Sequence, residues 1–397
     1  MISLTSVDEF LLDAGASGVS KTVTINPTTF SSNNVFNLRG TTAGGDVLVV
    51  QGLATAEIIN ANQVSIDPNF AALRLNGAAG NDTITGSSWA DTIYGGSGND
   101  LLSGGNYGDT YIYYAGDVDA GETIVEPVSG TETDTISVVT STEFTNMVAS
   151  SFDEIEAVTI ASGQTVTFTG LQLTGEVIAF SGTAGGVETL TVNVGVGTQF
   201  TSLLTNAAAD INLVQYIGTT GDESIAGGAM TETITGGTGN DLLSGGAGND
   251  TFIFTSFATN GIDRITLGVT GTAIDDKLNF AVDLFNNEAT VQINKIADAT
   301  LSGTVNGTLN DNVLIIKNVY CADAAALAAL TTTFSAIAAA DVNVLVIYAS
   351  SSTTDARVAL ATVTNAGDIS VATDVAVLVG LTVANASDYF AIGNFIL

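Results

Sequence analysis

The sequence predicts an all-β protein. Parallel β-roll arrays are embedded in a larger strand-rich stack, with a small mixed α/β part at the C-terminal end. Three observations point there. Two segments divide into glycine-rich nonapeptides. The stretches around them alternate apolar residues with Thr or Asn at period two, the pattern of strands with one buried face. Only 3 prolines occur in 397 residues, and Gly, Asn, Asp and Ser supply the turns instead.

Taken in order, residues 1–72 form an N-terminal β-rich segment in which KTVTIN and GDVLVVQG read as strands. Residues 73–114 hold the first array, with blocks GAAGNDTIT, GSSWADTIY, GGSGNDLLS and GGNYGDTYI beginning at Gly77, Gly86, Gly95 and Gly104. Residues 115–213 are again β-rich and include GQTVTFTGLQLTG and ETLTVNVGV. In the latter, Leu190, Val192, Val194 and Val196 are expected on one face. Residues 214–255 hold the second array: GTTGDESIA, GGAMTETIT, GGTGNDLLS and GGAGNDTFI, beginning at Gly218, Gly227, Gly236 and Gly245. Residues 256–397 read as a C-terminal β-rich domain with one Ala/Leu-rich helix at about 322–340, before the strand NVLVIYAS. The two arrays align at a constant offset, Gly77 falling opposite Gly218 and Gly104 opposite Gly245. Trp89 and Met230 each replace the usual fourth-position Gly, and beyond the arrays Glu122 and Ile124 fall opposite Asp263 and Ile265. The chain therefore carries a partial internal duplication.

The nonapeptide G-G-x-G-x-D-x-U-x has a physical logic. Glycines at positions one, two and four permit positive φ and let backbone carbonyls approach a shared point. The Asp at position six adds a carboxylate, and the apolar residue at position eight points into the core. Two nonapeptides make one coil of about 18 residues, so each block stacks on the block two further along. Asp82 should then lie over Asp100, Asp91 over Asp109, Glu223 over Asp241 and Glu232 over Asp250. Carboxylates about 4 Å apart repel by about 4 kcal/mol at an effective dielectric near 20. A hard cation converts that repulsion into coordination, and Ca²⁺ takes carboxylate and carbonyl oxygen. The candidate metal ligands are Asp82, Asp91, Asp100, Asp109, Glu223, Glu232, Asp241 and Asp250. Backbone carbonyls near Gly77, Gly80, Gly95, Gly98, Gly236, Gly239, Gly245 and Gly248 complete the set, giving about four inter-coil sites. The extra methylene of Glu223 and Glu232 displaces their carboxylates, and Asp222 is an alternative ligand beside Glu223. Four blocks make only two coils, fewer than repeats need to stand alone, so neighbouring strands must continue the stack.

Composition removes other chemistries. The chain has no histidine, which excludes Ser-His-Asp and Cys-His catalysis and HExxH zinc sites. With 41 Asp+Glu against 8 Lys+Arg, a formal charge of −33, it is not built to neutralise a run of phosphates, and no nucleic-acid partner is expected. One cysteine, Cys321, rules out an internal disulfide and reads as a small buried hydrophobe. The N-terminal stretch has neither a basic region nor a sustained apolar core, so no Sec-type signal is expected, nor membrane insertion. Smaller signals leave two readings each. Asp117, Asp119 and Glu122 make either a further cation site or a solvated turn. Trp89 is either an interface anchor or packed on a neighbouring loop. Asn306 and Asn385 head acceptor-like N-x-S/T triplets that are read as coincidence.

GGSGNDLLSGGNYGDTYIYY and GGTGNDLLSGGAGNDTFIF resemble the RTX (repeats-in-toxin) calcium-binding β-roll. The segment NGIDRITLGVTGTAIDDKLNFAVDLF resembles what commonly trails such arrays. The resemblance implies Ca²⁺ as the bound ion and type I secretion through an uncleaved C-terminal signal, in agreement with the apolar ending DYFAIGNFIL. Composition resembles RTX-bearing surface-layer proteins of Gram-negative bacteria: acidic, rich in Thr, Ala and Gly, nearly free of Cys, Met and His. RTX proteases and lipases need histidines that are missing here, and a pore former needs long apolar helices.

The expected function is a secreted, calcium-dependent structural protein, not an enzyme, that self-assembles at the cell surface as a layer, filament or matrix. Only 12% of residues are charged while 45% are hydrophobic, too few charges to coat a monomer, so the first partner is another copy of the chain. The alternative is a monomeric adhesin or matrix protein that binds cell-surface polysaccharide. A carboxylate-only polysaccharide-degrading enzyme is a third reading.

Overall fold

In the computed structural model, the described residues are 9–11, 22–25, 36–39, 46–66, 70–127, 132–206, 211–255, 260–270, 273–280, 293–296, 313–321, 323–325, 342–350, 355–363, 369–380 and 395–396. They divide into two compact units. One comprises 1–191 with 203–212, the other 192–202 with 213–397.

Short strands with one inward side chain build the first unit. A nine-stranded sheet runs through Thr22–Ile25, Asp46–Gln51, Phe70–Asn76, Asp91–Tyr94, Thr110–Tyr113, Thr135–Val138, Ala157–Ile160, Ala179–Ser181 and Thr205–Asn206. Every neighbour in it is parallel. A second parallel sheet joins Ile58–Asn60, Thr83–Thr85, Leu101–Ser103 and Thr123–Ile124. Glu9–Leu11, Phe36–Arg39 and Val64–Ile66 make a third, also parallel. Parallel neighbours in separate sheets mean that the chain coils, each turn laying one strand on each face.

Register reports the size of the coil. Within the array Thr83 pairs with Leu101, a step of two nonapeptides. Beyond it Leu101 pairs with Thr123 and Thr110 with Thr135, both longer steps than those inside the array. The narrow roll thus widens into a broader parallel helix, and strands on both sides extend the two coils of the array.

The wider coils hold a cluster of aromatic rings. Phe144 stacks on Phe168 with centroids 5.0 Å apart, and Tyr113, Phe152 and Phe180 meet this pair edge-on. Gln172 is buried among them, and its Nε2 donates to the carbonyls of Phe144 and Met147 at 2.7 and 2.8 Å. The segment read as one strand, GQTVTFTGLQLTG, is therefore two elements. Thr165–Thr169 is a strand, and Gly170–Leu173 is one helical turn. Thr169 and Gln172 close a reciprocal capping box there. A further 3₁₀ turn spans Ala149–Ser151.

In the second unit the same two-faced coil recurs. Glu232–Thr235, Thr251–Phe254, Lys277–Phe280 and Phe395–Ile396 pair in parallel on one face. Gln199–Thr201, Ser224–Ala226, Leu242–Ser244 and Asp263–Thr266 do so on the other. Val196, expected inside, is exposed beyond the end of Glu188–Asn193, where Gly197 turns the chain at φ 62°.

The second face then runs on from Asp263–Thr266 into long strands, Ile369–Leu378, Ala356–Val363, Val342–Ser350 and Val313–Cys321. The pairings among Val342–Ser350, Ala356–Val363 and Ile369–Leu378 are antiparallel. Asp374 is buried there, accepting from Tyr348 Oη at 2.5 Å and Arg357 Nη1 at 2.7 Å. The described C-terminal part is sheet, so a mixed α/β character is not seen in it. The expected helix at 322–340 lies outside the described residues save for 323–325. Asn306, Asn385, most of DYFAIGNFIL and the Cys321 side chain also lie outside them. Among the described residues no helix is long and apolar enough to cross a membrane.

Phe168 sits at the centre of the aromatic cluster with no exposure, whereas Leu171 is 73% exposed three residues on. Phe168→Ala should lower stability by about 3–5 kcal/mol. Leu171→Ala should stay within about 0.5 kcal/mol. Urea unfolding in calcium-containing buffer measures both.

Candidate metal centre

The array turns divide their glycines between two tasks. Position-two and position-four glycines adopt positive φ, as at Gly96 (100°), Gly98 (129°), Gly237 (102°) and Gly239 (134°). Position-one glycines do not, contrary to the expectation that all three need it; there the constraint is space. A Cβ on Gly95, Gly104, Gly236 or Gly245 would overlap the carboxylate five residues on, at Asp100, Asp109, Asp241 or Asp250. On Gly77 it would meet both Asp82 and the Gly95 carbonyl, and on Gly218 the Gly236 carbonyl. Position-eight residues Ile84, Ile93, Leu102 and Tyr111 are inside and at most 1% exposed, which fixes the strand and aims position six at this cradle.

The structure places the eight sequence-predicted carboxylates in stacked pairs, each two blocks apart. Asp82 N–H donates to Asp100 Oδ1 at 2.8 Å and Asp91 N–H to Asp109 Oδ1 at 2.7 Å. Glu223 N–H donates to Asp241 Oδ1 and Glu232 N–H to Asp250 Oδ1, both at 2.8 Å. In the first array Asp82 and Asp100 head strands of the four-stranded sheet, and Asp91 and Asp109 strands of the nine-stranded one. The pairs therefore occupy separate columns. Asp222 is exposed and accepts from Asn240 N–H at 2.8 Å, so Glu223, not Asp222, stands in the carboxylate column.

Both columns continue past the repeats, through residues that the nonapeptide pattern does not flag. Asp100 N–H donates to Glu122 Oε2 at 2.9 Å, and Asp109 N–H to Asp134 Oδ1 at 2.7 Å. Asp134 N–H passes the pattern on to Glu156 Oε2 at 2.7 Å. In the second unit Asp241 donates to Asp263 at 3.0 Å and Asp250 to Asp276 at 2.9 Å. Glu122 is 1% exposed, so it is no part of a solvated turn. Its equivalence with Asp263 was visible in the constant offset between the arrays. Asp134 and Asp276 miss that offset by one residue, which hides them. Trp89 resolves as packed on the neighbouring loop, stacked on Tyr107 at 5.8 Å.

Each of the eight array carboxylates uses one oxygen for a backbone amide and leaves the other without a partner. Asp82, Asp100, Asp109, Asp241 and Asp250 Oδ2, Asp91 Oδ1, and Glu223 and Glu232 Oε2 are buried with no hydrogen bond. An unpartnered buried anionic oxygen is expensive, and burial pushes Asp82, Asp91, Asp100, Asp109, Glu232, Asp241 and Asp250 toward their neutral forms. Burial drives Asp109 up to about 9, Glu122 to about 8, Asp91 to about 7, and Asp82 and Asp241 to about 6. Asp100 beside Asp82 contributes a further rise at Asp82. Glu232 and Asp250 both rise, again mainly through burial.

This donor set fits Ca²⁺. The spare oxygens are hard and anionic, they face the cradle kept clear by position-one glycines, and stacked backbone carbonyls lie beside them. Among the described residues no three carboxylates group together as a metal cage. The backbone carbonyls beside the carboxylates, such as Gly95 O next to Asp82, are the further oxygen donors at hand.

Fold and site together define a parallel β-roll with carboxylate columns. A family model, the RTX calcium-binding nonapeptide repeat, matches residues 76–110 and 226–256 in four copies. These segments are RTX repeats, and their bound ion is Ca²⁺. The Glu223 block precedes the second matched segment yet repeats its geometry. No curated protein and no solved structure matches the chain.

The raised carboxylates give the calcium-free fold a signed pH dependence. A group whose folded pKa lies above its unfolded value stabilises fully below the unfolded value. That stability is lost as pH rises through the folded one. With these carboxylates spread from about 6 to about 9, metal-free protein should melt at a higher temperature at pH 5 than at pH 8. Saturating calcium should reverse that order, because binding displaces the protons. Circular dichroism melts of metal-stripped and calcium-loaded protein read both. Gly95→Ala places a methyl on the Asp100 carboxylate and should remove part of the calcium-dependent rise in melting temperature. Asp100→Asn should weaken calcium binding by at least tenfold in titration calorimetry at pH 7.5.

Proposed function

We propose that this is a secreted, calcium-dependent structural protein that self-assembles at the cell surface, as a layer, filament or matrix. The observation that carries the reading is the set of columns of buried carboxylates with spare oxygens. They make a folded chain costly without a divalent cation and stable with one. Extracellular calcium sites work at roughly 10⁻⁴–10⁻³ M. A chain of this kind stays loose where calcium is scarce and sets into its final form outside the cell.

Assembly is supported by the surface. Ile58, Leu171, Val177, Val187 and Val196 are all large, apolar and strongly exposed, on a chain with 12% charged residues. Such side chains are natural material for contact between copies. The ligands are allotted to a structural ion, and the reading is non-enzymatic. A second reading, a monomeric adhesin for surface polysaccharide, is favoured by one feature: the stacked Trp89–Tyr107 pair, with Tyr107 52% exposed. Aromatic faces of this kind bind sugar rings.

Sizing and negative-stain microscopy across a calcium titration separate these readings. Ordered polymers should appear with millimolar calcium and dissolve on chelation. A folded monomer at every calcium concentration would overturn assembly and put the adhesin first. In that case Trp89 fluorescence should change with added polysaccharide.

A further inference from the structure

A carboxylate outside both arrays has the environment of the array ligands. Glu188 lies in the first unit, in the segment Gly182-Thr183-Ala184-Gly185-Gly186-Val187-Glu188-Thr189-Leu190, which the repeat model does not match. The side chain is fully buried, and Oε2 has no hydrogen-bond partner. An acid with one unsatisfied oxygen in the interior is a costly arrangement unless something fills the space beside it.

The surroundings share several features with an array turn. Glu188 Oε1 accepts the N–H of Thr183 at 3.3 Å. The position-two amides Ser87 and Gly228 donate to Asp91 and Glu232 in the same way, at 2.5 and 3.3 Å. Glu188 N–H donates to a side-chain oxygen one coil on, Asn212 Oδ1 at 3.2 Å, where an array block donates to an Asp. Gly185 has a positive φ of 79°, and a Cβ on Gly186 would overlap the Glu188 carboxylate. Leu190, two residues after the acid, is fully buried, as the position-eight residues are. Compared with GTTGDESIA, the segment GTAGGVETL carries one extra residue between the second turn glycine and the acid. That insertion breaks the repeat spacing.

We infer that Glu188 is the anionic ligand of a further divalent-cation site, built from a degenerate repeat turn and selective for hard cations such as Ca²⁺. The remaining ligands are backbone carbonyls of the 182–186 turn. Asn212 stands where the array sites have a second carboxylate. The site thus carries one negative charge instead of two and fills last in a titration. It rests on the calcium reading of the arrays, and the test keeps the two apart.

Full-length wild type, Glu188→Gln and Asp100→Asn are compared by native mass spectrometry and calorimetry with calcium alone. Terbium-soaked crystals of the wild type locate the ions by anomalous scattering. The expected result is one ion fewer in Glu188→Gln, with the tighter array sites unchanged, and an anomalous peak beside Glu188 Oε2. Equal ion counts in wild type and Glu188→Gln, or array peaks without one at Glu188, would overturn the inference while leaving the arrays as calcium sites. Should Glu188→Gln fail to fold, the wild-type anomalous map decides. No calcium uptake by the wild type would overturn both. A proton on Glu188 in place of a cation would show as undiminished stability of Glu188→Gln in calcium, again with unchanged stoichiometry.

Discussion

Everything in the two arrays depends on a conflict between two demands on one carboxylate. Parallel stacking leaves the amide of each position-six residue facing the next coil, and the acid there satisfies it with one oxygen. The other oxygen is then carried indoors without a partner. A short chain of such acids cannot be both ionised and dry. Calcium is the component that lets the same residues close the backbone hydrogen bonds and keep their charge. The cation is therefore part of the framework of the fold, not an accessory to a finished surface.

That constraint also accounts for the oddities of composition. Asp and Glu outnumber Lys and Arg by 41 to 8, yet the eight array carboxylates are buried instead of decorating the exterior. Position-one glycine is there because a methyl would strike the carboxylate, and only positions two and four use glycine for its backbone freedom. The apolar position-eight side chain then needs only a very short strand to reach the core. Each fully buried one contributes about 1.5–3 kcal/mol, which over many coils supports a fold made of such short strands.

Much of this was legible in the sequence, and the failures have physical causes. Nonapeptide spacing predicted the two-block step and the stacking partners of all eight array carboxylates, because the period of the chain and that of the coil coincide there. Glu122, Asp134, Asp263 and Asp276 lay beyond that period. The coil lengthens outside the arrays, so the same structural position recurs at irregular intervals. GLQLTG was read as strand on apolar alternation alone. The Thr169–Gln172 capping box is spaced for a helix start, and buried Gln172 ties two neighbouring carbonyls in a way no periodicity announces. Asp222 against Glu223 could not be decided from side-chain length. It is decided by position five facing outward, where Asp222 takes the role that Asn81 plays in the first array, accepting the amide one coil on.

The hydrogen bonds of the columns all point one way. From Asp82 to Asp100 to Glu122, and from Asp91 to Asp109 to Asp134, the earlier coil gives the amide and the later coil gives the oxygen. The two ends of such a stack are therefore chemically unlike. Its leading end presents carboxylate oxygen, which water or a metal ion can meet. Its trailing end presents backbone N–H groups, for which only an acceptor will do. In the first array the later coil supplies that acceptor itself, Glu122 for Asp100 and Asp134 for Asp109. The position-five ladder beside it runs the other way, Asn99 giving its amide to Asn81 and Asn240 to Asp222, so the two ladders clamp successive coils from opposite directions.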